Sequence, residues 1–484
     1  MKQLIFMFVM VVAGSIGAVY HPFWGVLLYY AFAVMRPQYL WEWALPYEIR
    51  WSLIAALSVL LGTVIALPRI ALQGRANAIL WLIIGYGMFV MLSVVTAYNP
   101  YIARPWAIEH AKVLLIAIIA SMIIEHLWQV RLLAKMIVVC LGYIAWEINY
   151  LYVFNGRLDI FHLGYGGLDN NGAGLMLAMG IPMALAYAMA APRVWQKGLC
   201  AFAAVLLMHA MMMSYSRGAM ISACVGVGWL LMTHRPRIHA AWAAVALALV
   251  VSVLAGQEIR DRFMSTRDYQ RDGSAQSRFM NWAAAWHIAW DHPLTGVGVR
   301  NSWQYTAQYG NDRIGRTIHS QYLQTAADSG IPALALYLTI MGVSFHNFRR
   351  SRAACEHGIE QIDHDLDKRW HERMRTARHG RGNDETEDEA EQALLERRDE
   401  LQHTVFLARG FETCLLVFAV GAAFLSLESF ELPWMVMVIA GVMPAAVRRF
   451  LHPDELDSIA PIHDEPQPVR PVAMPQLTKG WIRT

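Results

Sequence analysis

The sequence is poor in charge. Asp, Glu, Lys and Arg make up 16% of its 484 residues, against 56% hydrophobic residues, far from the balance of a soluble multidomain chain. Its 40 Lys and Arg nearly cancel its 37 Asp and Glu, and a formal net charge of +3 is too small and dispersed to recruit a nucleic acid. Cysteine is scarce as well. Cys140, Cys200, Cys224, Cys355 and Cys414 stand apart with no CxxC pair, so neither a disulfide framework nor a cysteine-based metal or redox centre is expected. A phosphate-binding Gly-rich loop, a zinc-type His-Glu pair and a nucleophile elbow are also missing. The expectation is an absence of metal and cofactor alike.

Long apolar runs are what the sequence has. They recur near 1–20, 23–35, 52–67, 78–97, 108–125, 131–150, 172–191, 199–213, 219–232, 240–255, 329–347, 405–425 and 432–447. In hydrocarbon every backbone polar group must be satisfied within its own segment, so runs of roughly 17–25 residues read as helices. The expected fold is an all-α polytopic membrane protein of about 12 transmembrane helices. Lys2 is followed by an apolar stretch without a small-residue cleavage site, which reads as a retained anchor.

Basic residues orient the helices. Arg69 with Arg75, Arg131 with Lys135, Arg193 with Lys197, and Arg235 with Arg237 fall in alternate short connections, which assigns those loops to the cytoplasm. Alternation then places 98–107, 151–171, the turn at 214–218 and the long 256–328 segment outside, and 348–404 and the tail inside. Both termini are placed in the cytoplasm, and with Lys2 inside and 37–50 outside the two runs within 1–35 must together make one net crossing, either as an anchor plus an interfacial segment or as a broken helix. The domain reading is 1–150 as an N-terminal transmembrane region, 151–347 as a core that includes the 256–328 loop, 348–404 as a charged cytoplasmic insertion, 405–447 as C-terminal transmembrane helices, and 448–484 as a cytoplasmic tail.

Within the external loop, a charged opening is followed by Arg278-Phe-Met-Asn-Trp-Ala-Ala-Ala-Trp-His-Ile-Ala-Trp, whose aromatic spacing predicts an amphipathic helix. Pro293 and Gly296-Val-Gly298 should end it. The 348–404 segment mixes both signs of charge, with an acidic run at 384–389, and reads as a solvated helical or partly disordered stretch without chemistry of its own.

A few polar residues occupy positions where they can act. Arg217 sits in Ser214-Tyr-Ser-Arg-Gly218 between two apolar runs. A guanidinium there either snorkels to headgroups or meets an anion, and its fork suits a phosphate. His319 falls just before the chain re-enters the membrane. It is either a surface or capping histidine, or a neutral imidazole able to take a proton from a hydroxyl. Arg278, at the start of the aromatic helix, can reach back toward the membrane face. Asp169-Asn-Asn171 stands where a helix N-cap is expected. Glu147 and His209 lie inside apolar runs. Met208, His209 and Met211–Met213 point around a helix and do not converge, which favours packing over soft-metal binding.

Taken in order, Asp169-Asn-Asn, Ser-Tyr-Ser-Arg-Gly, Arg278 through Asp291-His-Pro-Leu-Thr-Gly-Val-Gly298, and His319-Ser-Gln-Tyr-Leu-Gln before Gly-Ile-Pro resemble the O-antigen ligase and polymerase superfamily over about residues 165–345. His21-Pro-Phe-Trp-Gly-Val-Leu-Leu, Met35-Arg-Pro-Gln-Tyr-Leu and Phe424-Leu-Ser before Leu432-Pro-Trp look further like the O-glycosylation ligases associated with exosortase systems. The chain departs from the superfamily pattern where Ser320 follows His319, a place often held by Asn.

The resemblance implies a metal-independent, inverting glycosyltransferase of the GT-C type in the bacterial inner membrane. Such an enzyme moves a glycan from an undecaprenyl or other polyprenyl diphosphate to an acceptor hydroxyl on lipid, protein or polysaccharide, at the periplasmic face. Arg217 and Arg278 would hold the diphosphate, His319 would activate the acceptor, and Asn171, Ser216 and Tyr322 would contact substrate. A polymerase using a second lipid-linked glycan as acceptor is the alternative within the same chemistry. A transporter of lipid-linked glycans is a further alternative, expected to carry internal repeats and midplane polar groups; a scaffold for envelope assembly is another.

Overall fold

The computed structural model describes residues 1–46, 48–67, 77–155, 160–233, 273–309, 317–377, 385–427 and 430–453. The apolar run at 240–255, the charged opening of the external loop, the arginine pairs 69/75 and 235/237, and most of the C-terminal tail lie outside those residues.

Among the described residues the chain is helical, and the isolated bridge between Tyr165 and Leu168 is its one extended pairing. The helices are α1 (Lys2–Tyr20), α2 (Pro22–Met35), α3 (Pro37–Leu40), α4 (Trp51–Ala66), α5 (Ala78–Val95), α6 (Pro100–Ile123), α7 (Leu127–Asn155), α8 (Ile160–Leu163), α9 (Asn170–Ala190), α10 (Val194–Met212), α11 (Arg217–Thr233), α12 (Gly273–Asp291), α13 (Ser302–Tyr305), α14 (Gln321–Ser329), α15 (Ile331–Ala377), α16 (Glu385–Ala422) and α17 (Glu431–Leu451). Among the described residues, 9 helices are long and apolar enough to cross a membrane, and α2, α4 and α11 are shorter apolar helices. The protein is thus an all-α, multi-pass membrane protein. Their starts follow local chemistry: Asn77 and Asn99 accept backbone N–H groups at the heads of α5 and α6, and proline opens α2, α3 and α6, where its missing N–H costs nothing.

Burial separates the centre from the rim. The most apolar stretches of α9 and α16 are 72% buried within the protein and that of α17 67%, whereas α1 has only 17% buried. The inner helices accordingly carry small and flexible residues, and the lipid-facing surface is left to the rim.

The first two helices differ from the expectation of one net crossing. Pro22 and the His21 Nδ1 that accepts from the Phe23 N–H (3.2 Å) start a new helix. Gly14 and Gly17 let it fold back closely, since a Cβ at Gly17 would lie 3.0 Å from Trp24 Cβ, and small residues are what close helix crossings require. The result is an antiparallel pair in which Phe6 meets Trp41 at 5.9 Å between ring centroids. The head of α1 therefore lies at the same end of the bundle as residues 36–46.

The described residues of the 348–404 stretch, 348–377 and 385–404, continue α15 and α16 as an antiparallel pair. At 1.5 Å per residue the 47 residues of α15 extend about 70 Å, more than twice a hydrocarbon core of about 30 Å. Glu412, its side chain 2% exposed, receives Arg349 and Arg352 at 2.8 Å each. Arg409 meets Glu356 at 3.0 Å and Arg398 meets Asp363 at 2.5 Å. Arg131 ties the base of this pair to α7 through Glu400, and Arg449 of α17 meets Glu125 between α6 and α7.

At the opposite end of the bundle the segments around 273–330 form a cap. Helix α12 buries Asn281, Ala284, Ala285 and Ile288, while Phe279, Trp286 and Trp290 on its other side are more than half exposed, at 51%, 52% and 58%. Beyond it, Gly296, Gly298 and Gly330 adopt φ of +62°, +100° and +90°. A Cβ at Gly296 or Gly330 would collide with the backbone of Asp328 or Leu294, so only glycine permits this close crossing of the turn at 293–298 with the end of α14. The cap is fastened to the bundle by Tyr98 N–H to Val297 O and Asn99 N–H to Asn301 Oδ1, each 2.8 Å.

Candidate active site

Three helix N-termini are joined under this cap. Asp169 begins α9 as expected, its Oδ1 accepting from the Gly172 N–H at 2.8 Å. Ser216 begins α11, where its Oγ accepts from the Ala219 N–H at 3.4 Å and donates to Asn171 Oδ1 at 2.8 Å. Ser320 begins α14 by accepting from the Leu323 N–H at 3.5 Å. Each N-terminus carries the positive end of its helix dipole, which stabilises anions.

The Ser214–Gly218 turn is tight because only residues 213–216 separate α10 from α11, and both helices pack on α9. Tyr215 adopts φ of +50°, a left-handed conformation that costs a non-glycine residue about 1–2 kcal/mol. Hydrogen bonds hold it: Asn170 Nδ2 to Ser214 O at 3.3 Å and Ser214 Oγ to Met211 O at 2.6 Å. Gly174 faces this turn, and a Cβ there would overlap Ser214 Oγ. Ser216 is 1% exposed, and half-buried Arg217 follows it as the first residue of α11.

His319 lies on the approach to α14 with φ of +55°. Its imidazole is half-buried. Burial holds its pKa below the usual imidazole value, the positive charges of Arg278 and Arg300 add to that effect, and Asp169 opposes it. These effects favour the neutral imidazole of His319, which shares its surroundings with Arg278 on α12 and the cap of α9. Asn281 Nδ2 donates to Thr317 O at 3.3 Å, fixing α12 beside the His319 segment.

Residues 423–427 complete the enclosure. Leu427 N–H donates to Gln321 Oε1 at 2.7 Å, and Leu427 also reaches Gly172, where a Cβ would lie 3.3 Å from its Cδ2. Phe424 packs on Gly218 in the same way, at 3.3 Å, and its ring stands 6.3 Å from that of Trp282. One short segment thus contacts α9, the Arg217 turn, α12 and α14.

The sequence-predicted residues divide into two groups. Asn171 and Ser216 are bonded to each other, and His319 shares its electrostatic surroundings with Arg278. Tyr322 instead donates its hydroxyl to Ala419 O at 2.7 Å, and burial raises its pKa, so it ties α14 to α16. Glu147 and His209 lie elsewhere, with His209 Nδ1 2.5 Å from Asn149 Oδ1.

Two further residues went unremarked in the sequence. Arg300, at φ of +60°, lays its guanidinium 4.4 Å over the Trp106 ring and influences His319. Asp328, 2% exposed, accepts from Arg300 N–H at 3.0 Å, Ser302 N–H at 2.8 Å and Gln324 Nε2 at 3.2 Å. A carboxylate in a stretch about to enter the membrane was the available signal for it.

No curated protein matches the chain. Residues 202–338 match the family model described as O-Antigen ligase, a stretch that holds Ser216, Arg217, Arg278, His319 and Tyr322 but begins after Asn171. On that match the protein is similar to the O-antigen ligase superfamily, whose ligase or polymerase function is that of a glycosyl-transferring membrane enzyme.

Proposed function

We propose that the protein transfers a glycan from a polyprenyl diphosphate to an acceptor hydroxyl at the periplasmic face of the bacterial inner membrane. The observation that carries this reading is His319, its pKa held low, set beside Arg278 and the α9 cap, under the same enclosure as the Arg217 turn. Arg217 and Arg278 bind the diphosphate, and the head of α11 adds its dipole. As the glycosidic C–O bond breaks, negative charge grows on the departing diphosphate, and two fixed guanidinium groups stabilise it without a metal ion.

His319 accepts the proton of the attacking hydroxyl. A base with a lowered pKa is unprotonated and ready at neutral pH, though intrinsically weaker, which suits a reaction whose leaving group is already stable. Attack in line with the departing diphosphate inverts the anomeric centre. Asn171 and Ser216, bonded to each other, hold the heads of α9 and α11 together beside the substrate, while Tyr322 supports α14 from behind. The exosortase-associated branch is suggested by residues 21–28, 35–40 and 424–434, and the acceptor hydroxyl belongs to a lipid, a protein or a polysaccharide.

Transfer assayed in reconstituted membranes with a polyprenyl-diphosphate glycan tests the assignment. His319→Ala should lower the rate by about 100-fold to 10,000-fold, and Arg217→Ala should do likewise while both variants keep the wild-type elution profile. Transfer retained by either folded variant refutes its assigned role. Single additions mark a ligase, whereas a product ladder marks a polymerase.

A further inference from the structure

The enclosure contains an aromatic wall with unused hydrogen-bonding groups. Arg278 and Trp282 are four residues apart on α12 and so share one face of that helix. Trp282 packs against the small core of Ala285, Ile288, Val297 and Ile318, the last being the neighbour of His319. Its ring lies edge-on to Phe279 at 5.5 Å and tilted by 42° toward Phe424 at 6.3 Å. Phe424 in turn packs on Gly218, next to Arg217. The aromatic pair therefore spans from the helix of one arginine to the turn of the other.

Two buried polar atoms on this wall have no hydrogen-bond partner among the described residues: Trp282 Nε1 and Ser426 Oγ. Buried donors are nearly always paired in native proteins, and an exception asks for an explanation in function. An apolar molecule would leave both groups unsatisfied. A pyranose ring has the matching duality, with a C–H face that lies against an aromatic surface and a rim of hydroxyls that both donate and accept.

We propose that Trp282 and Phe424, with Trp282 Nε1 and Ser426 Oγ, form the subsite for the hexopyranose bonded directly to the diphosphate. This rests on the diphosphate reading of Arg217 and Arg278. The anomeric carbon must lie between the phosphates and the hydroxyl that His319 deprotonates, and the wall stands beside that position. The indole N–H donates to a ring hydroxyl or acetamido oxygen, and Ser426 Oγ exchanges a hydrogen bond with a neighbouring hydroxyl. The wall holds the sugar and takes no part in moving protons.

Binding of two probes to the full chain in lipid nanodiscs tests this: polyprenyl diphosphate, and the same lipid carrying one N-acetylglucosamine. Wild type should bind the sugar-bearing lipid more tightly than the bare one. Trp282→Phe, which keeps a ring and loses the N–H, and Ser426→Ala should each weaken the sugar-bearing lipid by about tenfold, the value of one buried hydrogen bond, and leave the bare lipid unchanged. Equal wild-type affinity for the two lipids overturns the subsite, as does wild-type selectivity in both variants or an equal loss for both lipids. Arg217→Ala should weaken both probes; if it binds both as wild type does, the diphosphate reading fails, whatever the sugar selectivity.

Discussion

Asp328 holds the cap closed, and replacing it with Asn should open the segment that carries Arg300. The carboxylate accepts from the backbone N–H groups of Arg300 (3.0 Å) and Ser302 (2.8 Å) and from Gln324 Nε2 (3.2 Å). Asparagine keeps the shape and one acceptor oxygen, so one backbone bond survives. Its NH2 group then faces donors. Hydrogen bonds to a charged acceptor contribute about 1.5–3 kcal/mol each, and a buried donor left unpaired costs about 1–3 kcal/mol. With one bond kept and the cap near water, a loss of about 2–4 kcal/mol follows. Opening of the segment should then become roughly 30-fold to 800-fold more frequent.

Trypsin supplied to the cap side of reconstituted protein reads this directly, because Arg300 is itself a cleavage site. When reclosing is faster than cleavage, the rate of cutting follows the open population. Asp328→Asn should therefore be cut after Arg300 faster by that factor, while Arg409 and Arg398, at the far end of the bundle, are unaffected. A cleavage rate after Arg300 within threefold of wild type would refute the anchoring role of Asp328.

Two other outcomes follow from the site. The pH profile of transfer should fall on its acid side at a pH below the ordinary imidazole value of 6.5, since burial, Arg278 and Arg300 all lower the His319 pKa. Removing Asp169's charge with Asn should move that limb to lower pH, and removing Arg300's charge with Gln should move it to higher pH; a limb that moves the opposite way in kcat/KM measurements contradicts the assignment. Gly174→Ala should lower stability by about 1–3 kcal/mol, the usual effect of overpacking, because the new methyl displaces Ser214 and with it the bond from Ser216 to Asn171. A wild-type melting temperature for Gly174→Ala would show that the turn yields without loss.

The sequence spoke most clearly where structure is local. The cap at Asp169, the turn at 214–218 and the α12 helix before Pro293 each depend on a few adjacent residues, and each stands where periodicity and capping rules place it. The contacts that assemble the site are long-range. Leu427 meets Gln321 across 106 positions and Asn99 meets Asn301 across 202, and no local pattern announces such pairs. The same limit applies to Tyr322, whose place next to the His319 motif suggested substrate while its hydroxyl faces α16. The hairpin of α1 and α2 escapes charge counting for a related reason: that rule assigns sides to loops, and the single residue His21 between the two helices offers it almost nothing to count.

The outward face of α12 has a consequence for how the enzyme would be regulated by its surroundings. Phe279, Trp286 and Trp290 are turned away from the protein on the helix that holds Arg278, and exposed aromatic rings of this kind settle at the level of lipid headgroups. Arg217 stands on α11 in the bundle and Arg278 on α12 in the cap. Where those rings meet headgroups, membrane thickness bears on the spacing of the two arginines, and the lipid becomes a third party to the geometry of the site.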